Sequence, residues 1–167
     1  MSATSTVLRV VEPSPPPSSY VARQTMRANR RVDTRPELLL RSEIHRRGLR
    51  FRKDLRVDAG GLWVRPDIVF TRLRLAVFVD GCFWHSCPVH AAAPKANSAF
   101  WAEKMARNRA RDAQQTIALQ EAGWLVLRVW EHQSATDAAD IIEDVYRTRD
   151  AQPCAVPSRL ASPPPNR

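Results

Sequence analysis

A chain of 167 residues, 44% of them hydrophobic, has room for one ordinary domain around a single core. Its formal net charge of +9 favours a polyanionic partner, nucleic acid ahead of a merely basic surface, because Lys and Arg displace the counterions condensed on phosphates. No apolar stretch is long enough to cross a bilayer, the Val7 to Val11 run broken by Arg9 is too short for a signal-peptide core, and three cysteines, an odd number, argue against a disulfide framework, so a cytoplasmic protein using clustered cysteines for metal is expected.

Residues 1–19, with Pro15, Pro16 and Pro17 in sequence, have a composition that cannot offset ordering entropy, and the same holds for residues 149–167. They read as disordered tails around one domain, residues 20–148. Asp33 and Thr34 ahead of Pro36, Glu37 and the run Leu38, Leu39, Leu40, Ile44, closed by Gly48, predict a first helix. Leu49 to Val57 alternates apolar and basic residues, and Gly60 and Gly61 supply a turn. Trp63 to Phe70 and Leu73 to Val79 then read as adjacent strands, the second one central and buried. After a Cys- and Pro-containing loop, Ser98 is expected to cap a long helix through Ala122, stopped by Gly123. Trp124 to Val129 predicts another buried strand, and Asp137 to Tyr146 a last helix. The order implies an α/β domain, a mixed β-sheet flanked by helices, in which the long helix crosses over to a parallel neighbour.

Asp67 follows Pro66 within a strand, where a carboxylate suits a hard cation; facing water or pairing with Arg65 is the alternative. The block Gly81-Cys82-Phe83-Trp84-His85 is unlike an ordinary turn. His85 is a candidate general base at the exit of the buried strand, or otherwise a metal ligand or a loop hydrogen-bonding group. Cys82, Cys87 and His90, spaced Cys-x4-Cys-x2-His, suit one tetrahedral structural zinc. His132, just past the last strand, would lie at the same end of a parallel sheet and is preferred to His85 as fourth ligand. Cys154 and His45 read as bystanders.

Asn29 to Glu37, Arg65-Pro66-Asp67, Phe78 to His85, Phe100-Trp101 with Glu103-Lys104, Asn108 to Asp112 and Gly123 to Glu131 together resemble the very short patch repair (Vsr) DNA mismatch endonucleases. The resemblance spans residues 19–146. It implies a restriction-endonuclease-like core with one structural zinc site, Mg2+ held by Asp67 and the backbone carbonyl of Val79, and His85 as the catalytic histidine. Glu37 matches a family acid near the scissile bond, yet Thr34-x-x-Glu37 is also a capping box, and both readings stand. Asp112 matches another acid and shares a helical face with Trp101, Met105 and Asn108; an ion pair with Arg109 or Arg111 is its alternative.

Trp63, Phe78, Trp124 and Trp130 lie within strand patterns and read as core. Phe83, Trp84 and Trp101 match the wedge that the family inserts beside a mismatched pair; packing on the zinc loop is the alternative. Residues 20–34, with Met26, Arg27 and Arg30, would form a DNA-binding arm that orders on duplex DNA. Two positions depart from the family pattern: Val79 stands for a threonine, and Asp80 for a histidine, which could add a carboxylate to the metal site.

The function so implied is nicking of one strand 5′ to the thymine of a T:G mismatch by a Mg2+-dependent monomer at the nucleoid, in cooperation with mismatch-repair proteins. The alternatives are an endonuclease of the same fold with another DNA target, and a non-catalytic, zinc-stapled DNA-binding module.

Overall fold

In a computed structural model, residues 16, 19–20, 23–24, 32–90 and 96–151 are described; Met26, Arg27, Arg30, Cys154 and most of both tails lie outside them. Helix α1 runs Arg35–Arg46 with Pro36 in its first turn. It ends where Gly48 takes φ +78°, a conformation that a Cβ would strain, and where the Gly48 and Leu49 N–H groups donate to the His45 and Ile44 carbonyls.

Five short strands follow: β1 (Arg52–Lys53), β2 (Val57–Ala59), β3 (Leu62–Val64), β4 (Ile68–Phe70) and β5 (Leu75–Asp80). The single strand expected from Trp63 to Phe70 is therefore two. Pro66, fully buried, has no N–H to give a ladder, so the chain breaks there and its halves pair differently. β3 closes a two-stranded antiparallel sheet with β2, while β4 enters the main sheet.

The crossover helix α2 spans Ser98–Glu121. Ser98 is its first residue and not its cap: Asn97, at φ 55°, occupies the cap position without a side-chain bond. Then come β6 (Leu125–Trp130) and α3 (Ala135–Ala151), longer at both ends than expected; it starts early because Ser134 Oγ accepts the Asp137 N–H. The main sheet has the order β1-β4-β5-β6, antiparallel except for the parallel β5–β6 pair that α2 connects.

Alternation along the strands sorts the core into two layers. Leu75 and Val77 of β5, with Val129 of β6, face Leu40 and Ile44 of α1 and Ala139 and Ile142 of α3. Ala76 and Phe78 face Val57 and Val64 of the small sheet and Leu119 of α2. The same parity sends Val79 to the α1/α3 side and Asp80 to the α2 side. Of the four aromatics expected in the core, Phe78 is buried and Trp124 packs against the second cluster. Trp63 is 52% exposed under the Arg56 guanidinium, because Val57 and Val64 already fill the inward face of the β2–β3 pair. Trp130 is half-buried and stacks on His132, 6.3 Å between centroids.

Candidate functional site

The end of β5 and the loop after it gather the chemistry. Asp67 precedes β4, and its Oδ2 accepts the Val79 N–H at 2.7 Å, fastening a carboxylate to the end of β5. Arg65, its alternative partner, turns instead to Asp54. Burial, then the nearby charges of Glu37 and Asp80, push the Asp67 carboxyl up to about 6, against the lowering effects of the Val79 N–H and of Arg41. A charge so poorly compensated is a natural partner for a cation.

Glu37 is buried at the start of α1. One of its oxygens accepts the Asp33 N–H at 3.0 Å and the other the Thr34 hydroxyl at 2.8 Å, with Arg41 at 3.7 Å. This departs from the usual capping box, in which the threonine oxygen would accept and its own N–H would donate. Arg41 also pairs with Asp33, so a buried guanidinium stands behind both acids.

His85 and Asp112, 27 residues apart, meet at 2.6 Å between Nδ1 and Oδ2. A carboxylate there only accepts, so Nδ1 is the donor, and in the neutral ring this leaves the lone pair on Nε2. Of the rival partners of Asp112, Arg109 donates to Ser86 and Arg111 lies at 3.5 Å. Trp101, Met105, Asn108 and Asp112 are all half-buried along one face of α2, which lays that face over the loop after β5. Phe83 touches Trp84 and Trp101 edge-on, at 5.0 and 5.4 Å between centroids, and the Lys104 ammonium stands over both tryptophan rings. Asn108 donates to the Trp84 carbonyl at 3.4 Å.

Cys82, Cys87, His90 and His132 form a second constellation, with their ligand atoms all within 4.8 Å of one another. Sulfur to Nδ1 distances are 3.1 and 3.9 Å from Cys82 to His132 and His90, and 3.7 and 3.8 Å from Cys87. The edge of a tetrahedron built on zinc–sulfur and zinc–nitrogen bonds is roughly 3.6 Å, so the four atoms fit one such ion. Burial and the neighbouring Cys87 push the Cys82 thiol up to about 11. The Cys82 N–H donates to Glu131 at 2.6 Å, tying the loop to the end of β6. His85 stays out of this cluster, and the ring of His45 meets the exposed Arg50.

Sequence reasoning missed Arg128. It donates to both oxygens of Asp80, at 2.7 and 2.6 Å, and reaches within 3.8 Å of Asp112. Its signal was a lone charge inside the apolar strand β6. Asp80, expected as an extra carboxylate for the metal site, is already paired. On the opposite face a groove of about 300 Å³ opens beside Val79, lined by Arg35, Leu39, Trp130 and Ser134 among others.

A family profile described as DNA mismatch endonuclease Vsr matches residues 20–90. The type II nicking enzyme V.NaeI of Lentzea aerocolonigenes is 47% identical over 131 residues, covering 78% of this chain and 79% of that one. V.NmeDIP of Neisseria meningitidis serogroup C is 36% identical over 133 residues, with 78% and 87% covered. The DNA mismatch endonuclease Vsr of Escherichia coli K12 is 39% identical over 109 residues, with 65% and 67% covered. With a carboxylate held by a backbone N–H, an oriented imidazole and relatives matched over most of their length, the chain belongs to the Vsr endonuclease family and is a DNA endonuclease, a hydrolase of phosphodiester bonds.

Proposed function

We infer that the protein nicks one strand of duplex DNA on the 5′ side of the thymine in a T:G mismatch, by Mg2+-dependent hydrolysis in very short patch repair. The observation that carries this reading is the His85–Asp112 pair in the loop after β5, the strand whose Val79 N–H holds Asp67, beside the edge-on cluster of Phe83, Trp84 and Trp101. The mixed sheet with its acid at a strand end supports a restriction-endonuclease-like core, and the names of the relatives support cutting of one strand.

Asp67 and the Val79 carbonyl would hold Mg2+, an oxygen donor set that suits a hard cation. Bound there, Mg2+ would supply Lewis-acid polarisation of the scissile phosphodiester. His85 Nε2 takes the proton of the attacking water, while Asp112 holds the ring and stabilises the imidazolium that results. Glu37 contributes its charge next to Asp67 and clasps the start of α1. Phe83, Trp84 and Trp101 enter beside the mismatched pair, where unstacking costs about a few kcal/mol and least of all at weak pairing. Met26, Arg27 and Arg30, in the arm of residues 20–34, complete the grip on duplex DNA. Zn2+ on Cys82, Cys87, His90 and His132 is structural, since four protein ligands leave no open position.

End-labelled duplexes carrying one T:G pair or the matched C:G pair, with and without Mg2+, test this. A Mg2+-dependent nick 5′ to the mismatched thymine alone is expected, and Asp67→Ala is expected to lose it while still shifting the duplex in a gel. Equal cutting of both duplexes, or full nicking by Asp67→Ala, contradicts the reading.

A further inference from the structure

His85 Nδ1 faces two carboxylates, Asp112 Oδ2 at 2.6 Å and Asp80 Oδ1 at 3.7 Å. One N–H cannot serve both, and Asp80, 6% exposed, would be a strong competitor if its oxygens were free. They are not free. Arg128 Nε and Nη2 occupy both in a two-toothed pair, and the guanidinium is itself fixed by Thr116 Oγ1 at 3.4 Å and by the Phe78 ring face at 4.8 Å. The register of the parallel strands explains the fit: Phe78 is paired with Arg128, and Asp80 is two residues further on the same face. Asp80 is also the position where the chain departs from the histidine of its family pattern.

We propose that Arg128 is a positioning residue for the cleavage reaction: by holding both Asp80 oxygens it reserves the His85 Nδ1 proton for Asp112 and so fixes the orientation of the imidazole. Asp80 and Arg128 act as one neutral unit in the place of a single side chain, and Asp80 is withheld from the metal. The inference rests on His85 as the proton acceptor.

A double-mutant cycle on nicking of a duplex that the parent cleaves tests it. Arg128→Gln exposes the competitor, and kcat is expected to fall about 30-fold with KM within about threefold of the parent. Asp80→Asn in the same chain removes the competitor and is expected to restore kcat to within about fivefold of the parent, a rescue that lost packing alone would not allow. Arg128→Lys keeps the charge without the two-toothed hold; if Arg128→Gln does not fold, the same rescue is read from it. Parent-like kcat in Arg128→Gln, an additive double variant, or a loss confined to KM, which would make Arg128 a DNA contact, each overturns the proposal. His85→Ala separates the two readings: full nicking without His85 removes the proton-acceptor assignment, whereas an inactive His85→Ala with an additive cycle removes this inference alone.

Discussion

Asp67 holds its place against its own electrostatics. Burial and the charges of Glu37 and Asp80 raise its carboxyl from 3.8 to about 6, so folding favours its neutral form. By linkage, Asp67 contributes most to stability below pH 3.8, and the contribution is lost as pH rises through about 6. Keeping the group ionised at neutral pH costs on the order of 2–3 kcal/mol. Asp67→Asn keeps an oxygen for the Val79 N–H and removes the charge. Without added Mg2+ it is expected to melt about 5 °C higher than the parent at pH 8, with the gain gone near pH 4. Equal melting temperatures at pH 8 would mean that the charge is already compensated. The place of Asp67 near the end of β5 was legible from the motifs around Pro66 and Gly81. The Asp80–Arg128 pair was not, because it depends on the register of β5 against β6, which nothing local in either strand encodes.

At the scale of elements, α1 and α3 are joined by an ionic clasp above their apolar contact. Arg47 donates to Glu43 at 2.9 Å, Asp140 at 2.5 Å and Glu143 at 3.0 Å. Hydrogen bonds from Arg46 and Arg47 hold the Glu43 carboxyl down at about 2. Its stabilising effect is therefore fully present above pH 4.5 and is lost as pH falls through about 2. Glu43→Gln is expected to lower the urea midpoint at pH 7, and to differ less from the parent as the acid limb is approached. A deficit that stays constant from pH 7 to pH 3 would assign the effect to packing. The helices were legible because their patterns are long and end in Gly48 and Gly123, both at positive φ, and so was the buried β5; β6, expected to be buried, is an edge strand in which only Val129 is buried, because nothing local tells an edge from a centre. The two-residue β1 and the β2–β3 pair were not, since runs so short carry no period, and the exposure of Trp63 follows from a pairing that only the folded chain reveals.

Taken whole, the molecule has two apolar layers on either side of one sheet, and the loop after β5 belongs to neither. Beside the packing of Phe83 and Trp84 on Trp101, what holds that loop is polar: Cys82 and Cys87 against His90 and His132, Glu131 under the Cys82 N–H, and Asn108 under the Trp84 carbonyl. Because Phe83, Trp84 and His85 lie between the two cysteines, ligands that close a zinc site would fix both the aromatic cluster and the imidazole. Native mass spectrometry is expected to find one zinc per chain, and Cys87→Ala to lose it. Since both apolar layers survive that change, the far-UV spectrum should stay close to the parent's. Nicking should nonetheless fall by at least about a hundredfold, the order seen when a positioned group is set adrift, and limited proteolysis should open the chain between Gly81 and His90. Protein that is free of zinc, resists the protease there and still nicks would show that packing against α2 alone holds the loop, and the four ligands would then need another purpose.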